Sequence, residues 1–510
     1  MEIYNKIIQI KEGSGGNSKV LNPLNKAGIP TLLRYLNNYN ITGKVVGYRP
    51  DYNVTWGAAD NERGYKIKNA ARIKQTMPDV TSIITAGGKP AIMFHIQDKG
   101  KINGVEFKDN LEVTEELALQ LNAYENFNKN FYAVVDGQPI NPELAQGKKV
   151  VLIGRVEEEK FSGPEALKKL SELKAGKYDI VVMQNIRLNQ DDRKAVGSNG
   201  THIVEPLVPL LDVMVNDATS AWHRPKDPTM KSINEMMLEA GKHSVAGELY
   251  VTEGGSLQTL RTGFLTDPEH SVAIFGGAKV ADEVNEKGKV TKEGKLTPIL
   301  KIVELGIPNI SLGGKMLNPI LAALGKSIGA AKISQDELEG AQKILDACKQ
   351  HKTSLILPED YITVPENYFE LQPEEKAKSL KIETEISEGR MQVDIGPKTR
   401  KNLEELIDKM NYWYWNGPMG VFEDPLLAKG TDTIIDALDN KKSGFGIAGG
   451  GDTNAAIEQN KGSDYKGTPN NVVSTMGGAA MDFLGFNQKD NKGNIKDLPV
   501  IESLKNPSIA

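Results

Sequence analysis

Five glycine-containing turns in the C-terminal half of the sequence have the composition of phosphate-binding turns. Each follows a short apolar run and precedes a segment of helical period. The turns are Gly276-Gly277-Ala278-Lys279, Gly313-Gly314-Lys315, Asn416-Gly417-Pro418, Gly449-Gly450-Gly451-Asp452-Thr453 and Met476-Gly477-Gly478-Ala479. Glycine lets backbone N–H groups approach a phosphate closely, and a helix N-terminus favours its negative charge. One such turn is more often structural, but their recurrence in one half of the chain favours nucleotide binding.

Three charged side chains beside these turns are suited to phosphoryl chemistry. Asp452 could bind a Mg²⁺ ion on the phosphate, although it could equally cap the following helix. Lys279 could reach a transferring phosphoryl group as a point charge, although a solvated surface lysine is the commoner case. Glu423 ends the compact segment Trp415–Glu423 and could bind a ribose hydroxyl, whereas by its chemistry alone this segment is a packed loop.

Polar and cationic side chains follow the apolar runs of the N-terminal half instead. Arginine pairs bidentately with phosphate and carboxylate, so cations at several strand ends suit a small anion. This set comprises Arg72, His95, Arg187, His223 and Arg224, and the first apolar run leads to Arg49, Asp51 and Asn53. Any one arginine is more often a salt-bridge partner. Convergence is nevertheless expected, because ligands of open α/β sheets bind beyond the carboxyl ends of the strands.

Strands and helices must bring these residues to common sheet edges, and the sequence predicts such elements. Short β-branched runs alternate with segments of helical period, which predicts parallel sheets covered by helices on both faces. The predicted strands are 43–47, 91–95, 149–153, 180–183, 212–215, 271–275, 354–357 and 445–448, and helices are predicted at 31–38, 163–173 and 319–324. Residues 1–40 otherwise form an extension, and 122–147 are expected to be an irregular insertion. The change in strand-end composition puts the boundary between two lobes near 241–266, where a helix at 254–264 could connect them.

The composition excludes several classes of protein. The chain has 510 residues and a formal net charge of −5, which argues against nucleic acid or an anionic membrane as the main partner. Cys348 is the single cysteine, so neither an intrachain disulfide nor a cysteine-based zinc site can form. The sequence contains no apolar run long enough for a membrane span and opens without a secretory signal. A cytoplasmic protein is therefore expected.

Taken in order, these segments resemble the motifs of phosphoglycerate kinase. The matching pieces are RPDYNV (49–54), ARI (71–73), FH (94–95), QNIR (184–187), NDA (216–218), HR (223–224), GGAKVAD (276–282), GGKM (313–316), LPED (357–360), DIGP (394–397), WNGPMGVFE (415–423), GGGDT (449–453), STMGGA (474–479) and LPV (498–500). The segments WNGPMGVFE and GGGDT together are highly specific. Apart from the insertions, the resemblance extends over most of the chain.

The resemblance implies an α/β fold of two doubly wound, Rossmann-like parallel-sheet lobes joined by a hinge helix. Residues 1–250 would form the phosphoglycerate-binding lobe with its N-terminal extension, 251–264 the interdomain helix, 265–490 the nucleotide-binding lobe and 491–510 a tail that returns to the first lobe. It also implies a reaction, the Mg²⁺-dependent transfer of a phosphoryl group between 1,3-bisphosphoglycerate and ADP, which gives 3-phosphoglycerate and ATP. The chain would act as a monomer in the cytoplasm.

Residue by residue, the resemblance also implies a site. The implied phosphoglycerate ligands are Asp51, Asn53, Arg72, His95, Arg187 and Arg224. The implied nucleotide ligands are Gly276, Lys279, Gly313, Gly314, Asn416, Glu423, Gly450, Gly451, Asp452 and Thr453, with Asp452 near Mg²⁺. Arg72, Lys279, Gly477 and Gly478 would act on the transferring group. The acceptor is a carboxylate, which is already ionised at pH 7, so no general base is required.

Four positions depart from the family pattern. Asp98 stands where the family has an arginine, Glu283 where it has a second lysine, Gln392 where a glycine lines the nucleotide pocket, and Met476 where it has a glycine. Glu283 is expected to pair with Lys287 on a helix face, because that i,i+4 order is the favourable one. These departures bear on catalytic efficiency and substrate identity.

Three functional hypotheses follow. The first is an active, divergent phosphoglycerate kinase, which the retention of Arg72, Arg187, Lys279 and Asp452 favours. The second is a non-catalytic homologue that senses or scaffolds nucleotide or phosphoglycerate, which Asp98 and Glu283 favour. The third is a phosphotransferase of the same fold with another acid as substrate. A dinucleotide-dependent dehydrogenase is disfavoured, because no Gly-x-Gly-x-x-Gly opens the first βα turn.

Overall fold

The computed structural model divides the chain into two compact units. The described residues are 31–52, 54–58, 65–95, 100–102, 105–107, 111–124, 130–135, 138–139, 150–155, 161–186, 202–222, 224–277, 283–284, 290–292, 296–462, 465, 467–474, 476–485 and 498–504. Those up to 255, together with 498–504, belong to the N-terminal unit, and those from 256 to 485 belong to the C-terminal unit.

The N-terminal unit is built on a largely parallel sheet. Its strands are β1 (Val45–Arg49), β2 (Thr55–Ala58), β3 (Tyr65–Asn69), β4 (Lys89–Ile92), β5 (Gly100–Ile102), β6 (Val105–Phe107), β7 (Asn130–Val135), β8 (Gln138–Pro139), β9 (Val150–Arg155), β10 (Ile180–Val182), β11 (Val213–Asn216) and β12 (His243–Ala246). The sheet order is β12-β11-β1-β4-β10-β9-β7-β8, and only the β7–β8 pairing is antiparallel. The remaining strands form the hairpins β2–β3 and β5–β6.

The expected irregular insertion at 122–147 is wrong where the structure describes it. Strand β7 pairs in parallel with β9, and Tyr132 lies opposite Leu152. Phe131 and Val134 are buried, because the strand extends the central sheet. The sequence did not predict this strand, because its short apolar run lies among polar residues. Its backbone needs a neighbouring strand to complete its hydrogen bonds.

Helices cover both faces of this sheet. They are α1 (Leu32–Asn38), α2 (Ala71–Gln75), α3 (Met77–Thr85), α4 (Leu111–Ala123), α5 (Pro164–Lys174) and α6 (Ser232–Glu239). Alternate residues of β1 enter different cores, with Val46 and Tyr48 in one apolar cluster and Val45 in the other. Every residue of β1 is buried, as a central parallel strand requires.

A helix of 19 residues, α7 (Glu248–Thr266), carries the chain from one unit to the other. The division falls after Gly255, the second residue of a Gly-Gly pair inside the helix. The helix begins on two buried carboxyl groups: the Glu248 N–H donates to Asp79 (2.9 Å) and the Tyr250 N–H donates to Asp217 (3.0 Å). These carboxyl groups satisfy two of the backbone donors that a helix N-terminus leaves open.

The C-terminal unit contains a fully parallel six-stranded sheet. Its strands, with those of two smaller sheets, are β13 (Ser271–Phe275), β14 (Glu283–Val284), β15 (Val290–Lys292), β16 (Asn309–Leu312), β17 (Ser354–Ile356), β18 (Tyr361–Pro365), β19 (Lys381–Glu383), β20 (Arg390–Ile395), β21 (Tyr412–Asn416), β22 (Phe445–Gly449) and β23 (Asn471–Ser474). The order of the main sheet is β17-β16-β13-β21-β22-β23, and β19-β18-β20 form an antiparallel sheet. Counted along the chain, the main order is 3-2-1-4-5-6, that of a doubly wound sheet. The predicted fold of two doubly wound parallel-sheet lobes is therefore confirmed.

Further helices follow along the chain, and all but the last belong to this unit. They are α8 (Leu296–Glu304), α9 (Leu317–Ala323), α10 (Gln335–His351), α11 (Pro373–Ser379), α12 (Pro397–Lys409), α13 (Lys429–Asp439), α14 (Gly451–Lys461), α15 (Gly478–Gly485) and α16 (Pro499–Glu502). Helix α16 belongs to the N-terminal unit, where Asn234 donates to the Ser503 hydroxyl at 3.1 Å. Leu498, Val500 and Leu504 are buried there.

The helix expected around Glu283 is wrong, because Glu283 lies in a strand. Glu283 lies in β14, which pairs antiparallel with β15, and its backbone stands opposite Lys292. Lys287 lies outside the described residues, so its pairing with Glu283 stays a prediction.

Candidate active site

The glycine turns of the C-terminal unit interlock at the switch point of its sheet. This point lies between β13 and β21, the neighbouring strands from which the chain winds in opposite directions. After β13, the Gly276 N–H donates to the Asn416 carbonyl (3.0 Å) and the Gly277 N–H donates to the Pro418 carbonyl (2.7 Å). The Gly314 N–H donates to the Met419 carbonyl at 2.9 Å. Backbone hydrogen bonds thus join the turns that follow β13, β16 and β21.

Close backbone packing explains why these turns need glycine. A Cβ atom on Gly276 would lie 2.2 Å from the Pro418 carbonyl oxygen. Gly314 has φ +63° and a Cβ there would lie 2.6 Å from the Gly277 nitrogen. Any larger residue at either position would force the turns apart.

The turns after β22 and β23 join the same cluster. The Thr453 hydroxyl accepts the Gly417 N–H at 2.7 Å, and a Cβ on Gly450 would lie 2.9 Å from the Asn416 amide nitrogen. A Cβ on Gly477 would lie 3.5 Å from the Gly450 Cα. A Cβ on Gly313 would lie 2.4 Å from the Met419 sulfur. The structure therefore brings together seven predicted nucleotide-site or catalytic residues, namely Gly276, Gly313, Gly314, Asn416, Gly450, Thr453 and Gly477.

Two helix N-termini face this cluster. Helix α14 begins directly after Gly450, which has φ +114° and carries no side chain that could cap the helix. The interpretation of Asp452 as the N-cap is therefore wrong: Asp452 lies in the first turn, is exposed, and accepts no hydrogen bond from the described residues. Helix α15 begins at Gly478. The open N–H groups and the positive end of each dipole make these termini suitable for an anion.

Glu423 follows the turn at 416–418 along the chain, and none of the hydrogen bonds among the described residues joins its side chain to the glycine turns. Its side chain is exposed, in the turn region after β21. The preceding residue, Phe422, packs against Ala456 of α14 and accepts a hydrogen bond from Gln459 at 2.8 Å. Glu423 is thereby held near the helix that carries Asp452 and Thr453.

In the N-terminal unit, the carboxyl ends of β1 and β11 bring polar residues together around Arg72. The Arg72 guanidinium forms an ion pair with Asp51, which follows β1, and lies 3.4 Å from the Ser220 hydroxyl, which follows β11. Strands β1 and β11 are neighbours at a switch point of their own sheet. Arg72 keeps 24% of its side chain exposed, whereas Asp51 is buried.

His95 and Arg224 also lie at strand ends of this unit. His95 follows β4 and is 8% exposed, and Arg224 follows the turn after β11 and is half-buried. Asn53, Arg187 and His223 lie outside the described residues, as do Lys279 and Asp98. Their assignments stay predictions.

Arg49 has a structural role at the end of β1. It is 1% exposed, donates to the Thr229 hydroxyl (2.8 Å) and to the Pro50 carbonyl (2.6 Å), and pairs with Asp227. All these partners lie within the N-terminal unit, so the guanidinium fixes the end of β1. This role cannot be predicted from the sequence, since a buried and an exposed arginine look alike at a strand end.

Three buried polar residues are not among the site residues predicted from the sequence. Asp79 and Asp217 cap α7, and Asn318, in the first turn of α9, is 5% exposed with its carbonyl oxygen unpartnered among the described residues. Gln392 was noted only as a departure from a family glycine, and it too is buried. Tertiary contacts decide whether a polar group is buried and whether it then finds a hydrogen-bond partner. A single sequence does not display those contacts.

The two doubly wound units and their strand-end sites define an α/β protein with two lobes and a separate polar cluster on each. The family model described as phosphoglycerate kinase matches residues 36–486. The chain therefore belongs to the phosphoglycerate kinase family.

Individual relatives agree with this assignment. The phosphoglycerate kinase of Psychrobacter cryohalolentis is 28% identical over 455 residues, which cover 88% of this chain and 95% of the relative. The cytosolic phosphoglycerate kinase of Trypanosoma congolense is 27% identical over 457 residues, which cover 88% of this chain and 94% of the relative. The solved phosphoglycerate kinase of Pyrococcus horikoshii has a TM-score of 0.65 and 20% identity, covering 92% of this chain and 98% of that one. The Coxiella burnetii structure has a TM-score of 0.61 and 24% identity, covering 92% and 97%.

Proposed function

We propose that this chain is an active phosphoglycerate kinase, which transfers a phosphoryl group reversibly between 1,3-bisphosphoglycerate and ADP to give 3-phosphoglycerate and ATP, as in glycolysis and gluconeogenesis. The observation that carries the proposal is the cluster of interlocked glycine turns at the switch point of the C-terminal sheet. Five strand ends contribute to it, and backbone N–H groups and two helix N-termini are gathered where an open α/β sheet binds its ligand.

The C-terminal unit would hold the nucleotide. Its phosphates would lie on the turns at Gly276, Gly313, Gly314 and 450–453, with Asn416 between them, Lys279 as a point charge and Glu423 at the ribose. Asp452 fits a Mg²⁺ ion, since its carboxylate is exposed and accepts no hydrogen bond from the described residues. Mg²⁺ is usually held by one or two carboxylates together with substrate phosphates, so a single aspartate suffices. When bound, the ion would neutralise charge on the phosphate oxygens.

The N-terminal unit would hold phosphoglycerate through Asp51, Asn53, Arg72, His95, Arg187 and Arg224. Arg72 is oriented by the carboxylate of Asp51, which fixes one edge of the guanidinium and leaves part of the side chain exposed. Such a guanidinium can donate two parallel hydrogen bonds to a phosphate or carboxylate. The ionised carboxylate of 3-phosphoglycerate needs no base to become a nucleophile.

The catalytic contribution would then be positioning and charge stabilisation. Arg72 and Lys279 would bind the phosphoryl oxygens, and the turn at Gly477 and Gly478 would present the N-terminus of α15 to them. Donors held in place before the reaction stabilise the developing charge without reorganisation. The two ligands would bind different units, so hinge closure is required before transfer.

The cellular setting is part of the proposal. We expect a cytoplasmic monomer with no nucleic-acid or membrane partner, in keeping with the net charge of −5 and the single, buried Cys348. No helix in the described part of the chain has both the length and the apolar character of a membrane span.

A coupled assay with 3-phosphoglycerate and Mg·ATP tests the proposal. Wild-type protein should consume ATP only when both substrates and Mg²⁺ are present, and EDTA should abolish turnover. Arg72→Ala should lower kcat by about 10²–10³-fold, the range for loss of one charge-stabilising donor. The exposed neighbour Lys74 on α2 provides the control, because Lys74→Ala should leave turnover unchanged. Nucleotide binding without any turnover would favour the sensor or scaffold instead.

A further inference from the structure

The side-chain amide of Gln392, in β20, is buried without a hydrogen-bond partner among the described residues. Its side chain is 8% exposed, and neither its amide nitrogen nor its amide oxygen has a hydrogen-bond partner among the described residues. Burial of an unpaired polar group is unfavourable, so native proteins nearly always satisfy such groups. A buried amide in this state needs a bound water or a ligand to complete its hydrogen bonds.

The position of β20 relates Gln392 to the candidate nucleotide site. Val393 and Met391 pack into the apolar cluster with Ile362 and Val364, so Gln392 faces the opposite side of the strand. Strand β20 contacts the 3-10 turn Gly314–Met316, which follows β16 and belongs to the cluster of glycine turns.

A second unpaired group flanks the same turn. Asn318 lies two residues beyond it, in α9, and is 5% exposed. Its carbonyl oxygen has no partner in the described part of the chain. The amide nitrogen and oxygen of Gln392 and the amide oxygen of Asn318 are therefore all unpartnered among the described residues. They lie on two elements next to the turn 314–316, which is hydrogen-bonded to the candidate phosphate-binding turns.

We propose that Gln392, assisted by Asn318, binds the hydrogen-bonding edge of the nucleobase of the phosphate donor and sets base specificity. A carboxamide donates and accepts side by side, which matches the adjacent donor and acceptor on a base edge. A site that hydrogen-bonds a ligand discriminates strongly against ligands that leave its buried groups unpaired. This inference rests on the proposed function, because it assumes that the adjoining turns hold a nucleotide. Neither amide atom is open to solvent, so binding of the base requires the groups around the amide to move.

Calorimetric titration of the full chain with Mg·ADP, Mg·GDP and Mg·tripolyphosphate tests the proposal. Gln392→Met keeps the length of the side chain and removes both hydrogen-bonding groups. We expect at least a tenfold loss of affinity for the preferred nucleotide and no change for tripolyphosphate, which has no base. The melting temperature of the ligand-free variant should stay equal or rise, because two unpaired buried atoms disappear. Gln342→Met on α10, at an exposed position, is the matched control and should change neither quantity.

The possible results distinguish a failure of the proposed function from a failure of the base-binding role of Gln392. If wild-type protein binds neither a nucleotide nor tripolyphosphate, the proposed function fails before Gln392 is at issue. If it binds nucleotide and Gln392→Met changes the affinity less than twofold, or weakens nucleotide and tripolyphosphate equally, the base-reading role is overturned. Gln392→Gly provides the opposite test: tighter binding of both nucleotides by that variant would mean that the glutamine merely fills the pocket.

Discussion

Gly450 is required both by its backbone conformation and by the close approach of Asn416. A matched glycine at the other end of α14 allows the two effects to be measured separately. It has φ +114°, where residues with a side chain are strained, and a Cβ there would lie 2.9 Å from Asn416. Gly462, at the other end of α14, has φ +93° but nothing within 4 Å of its Cβ position. Both Gly450→Ala and Gly462→Ala should lose about 1–3 kcal/mol of unfolding free energy through backbone strain.

Only Gly450→Ala should also impair ligand binding, because the added methyl group displaces Asn416 and the turn around it. We expect at least a tenfold weaker Kd for Mg·ADP in calorimetry, with Gly462→Ala unchanged. Equal affinities in the two variants would show that the turn at Gly450 does not touch the nucleotide.

Substitution of Arg224 tests whether the two ligands bind different units. If it binds the acceptor, Arg224→Ala should raise the KM for 3-phosphoglycerate while the Kd for Mg·ADP stays the same. Loss of one charged hydrogen bond corresponds to about 1.5–3 kcal/mol, or roughly a 10–150-fold change. Lys226→Ala, two residues away and exposed, is the control. Similar losses for both ligands would contradict the assignment of phosphoglycerate to the N-terminal unit.

Motif residues were predictable one by one, whereas residues defined by burial were not. Gly276, Gly313, Gly450 and Gly477 could be singled out because each follows an apolar run, and parallel strands bring such ends together. Arg49 could not be placed, since its partners Thr229 and Asp227 lie about 180 residues away in sequence. The open amide of Gln392 likewise depends on which neighbours surround β20.

At the level of elements, the start of α7 predicts a pH dependence. Asp79 and Asp217 are both buried, and Tyr48 donates to Asp217 at 3.0 Å. Burial, followed by the charge of Glu248, raises the pKa of Asp79 to about 7. Burial, followed by the charges of Asp79 and Glu253, raises the pKa of Asp217 well above its usual range. The folded state therefore binds more protons than the unfolded state.

Because these carboxyl groups hold protons in the folded state, stability should fall as pH rises from about 4 through about 7. Asp79→Asn keeps an oxygen for the Glu248 N–H but cannot ionise. We expect the variant to exceed wild type in unfolding free energy by on the order of 2 kcal/mol at pH 8, with little difference at pH 4. Urea midpoints at both pH values measure this, with exposed Asp336→Asn as control. A gain of equal size at both pH values would rule out titration as its cause.

The strands were easier to predict than their exceptions. Strands β13, β17 and β22 lie within a residue of the predicted ranges, because a buried parallel strand is a short β-branched run between glycines or turns. Strand β7 was missed because only its pairing with β9 reveals it. Glu283 was assigned to a helix because charge spacing fits one locally, whereas the chain pairs across to β15.

At the level of the whole molecule, the Gly254-Gly255 pair of α7 predicts a coupling between stability and turnover. Gly255 ends the N-terminal unit, and a Cβ there would meet nothing within 4 Å. Gly255→Ala should therefore stabilise the helix by about 0.5–1 kcal/mol. If closure bends α7 at this point, the same change should lower kcat several-fold.

Thermal unfolding and the coupled assay measure the two effects of Gly255→Ala together. Ser171→Ala, at an exposed position of α5, raises helix propensity away from the division and should leave kcat unchanged. A more stable Gly255→Ala protein with wild-type kcat would place the bending elsewhere.

The return of residues 498–504 to the N-terminal unit has a consequence for biosynthesis. On the ribosome, the whole C-terminal unit, residues 256–496 of the division, is made before this segment appears. At about 5–20 residues per second, that interval lasts on the order of tens of seconds. During it, the surface later covered by Leu498, Val500, Ile501 and Leu504 stays open, because these side chains are 0–4% exposed only in the finished fold. The unit made first is thus completed last, and its uncovered apolar patch is a natural place for a chaperone to bind the nascent chain.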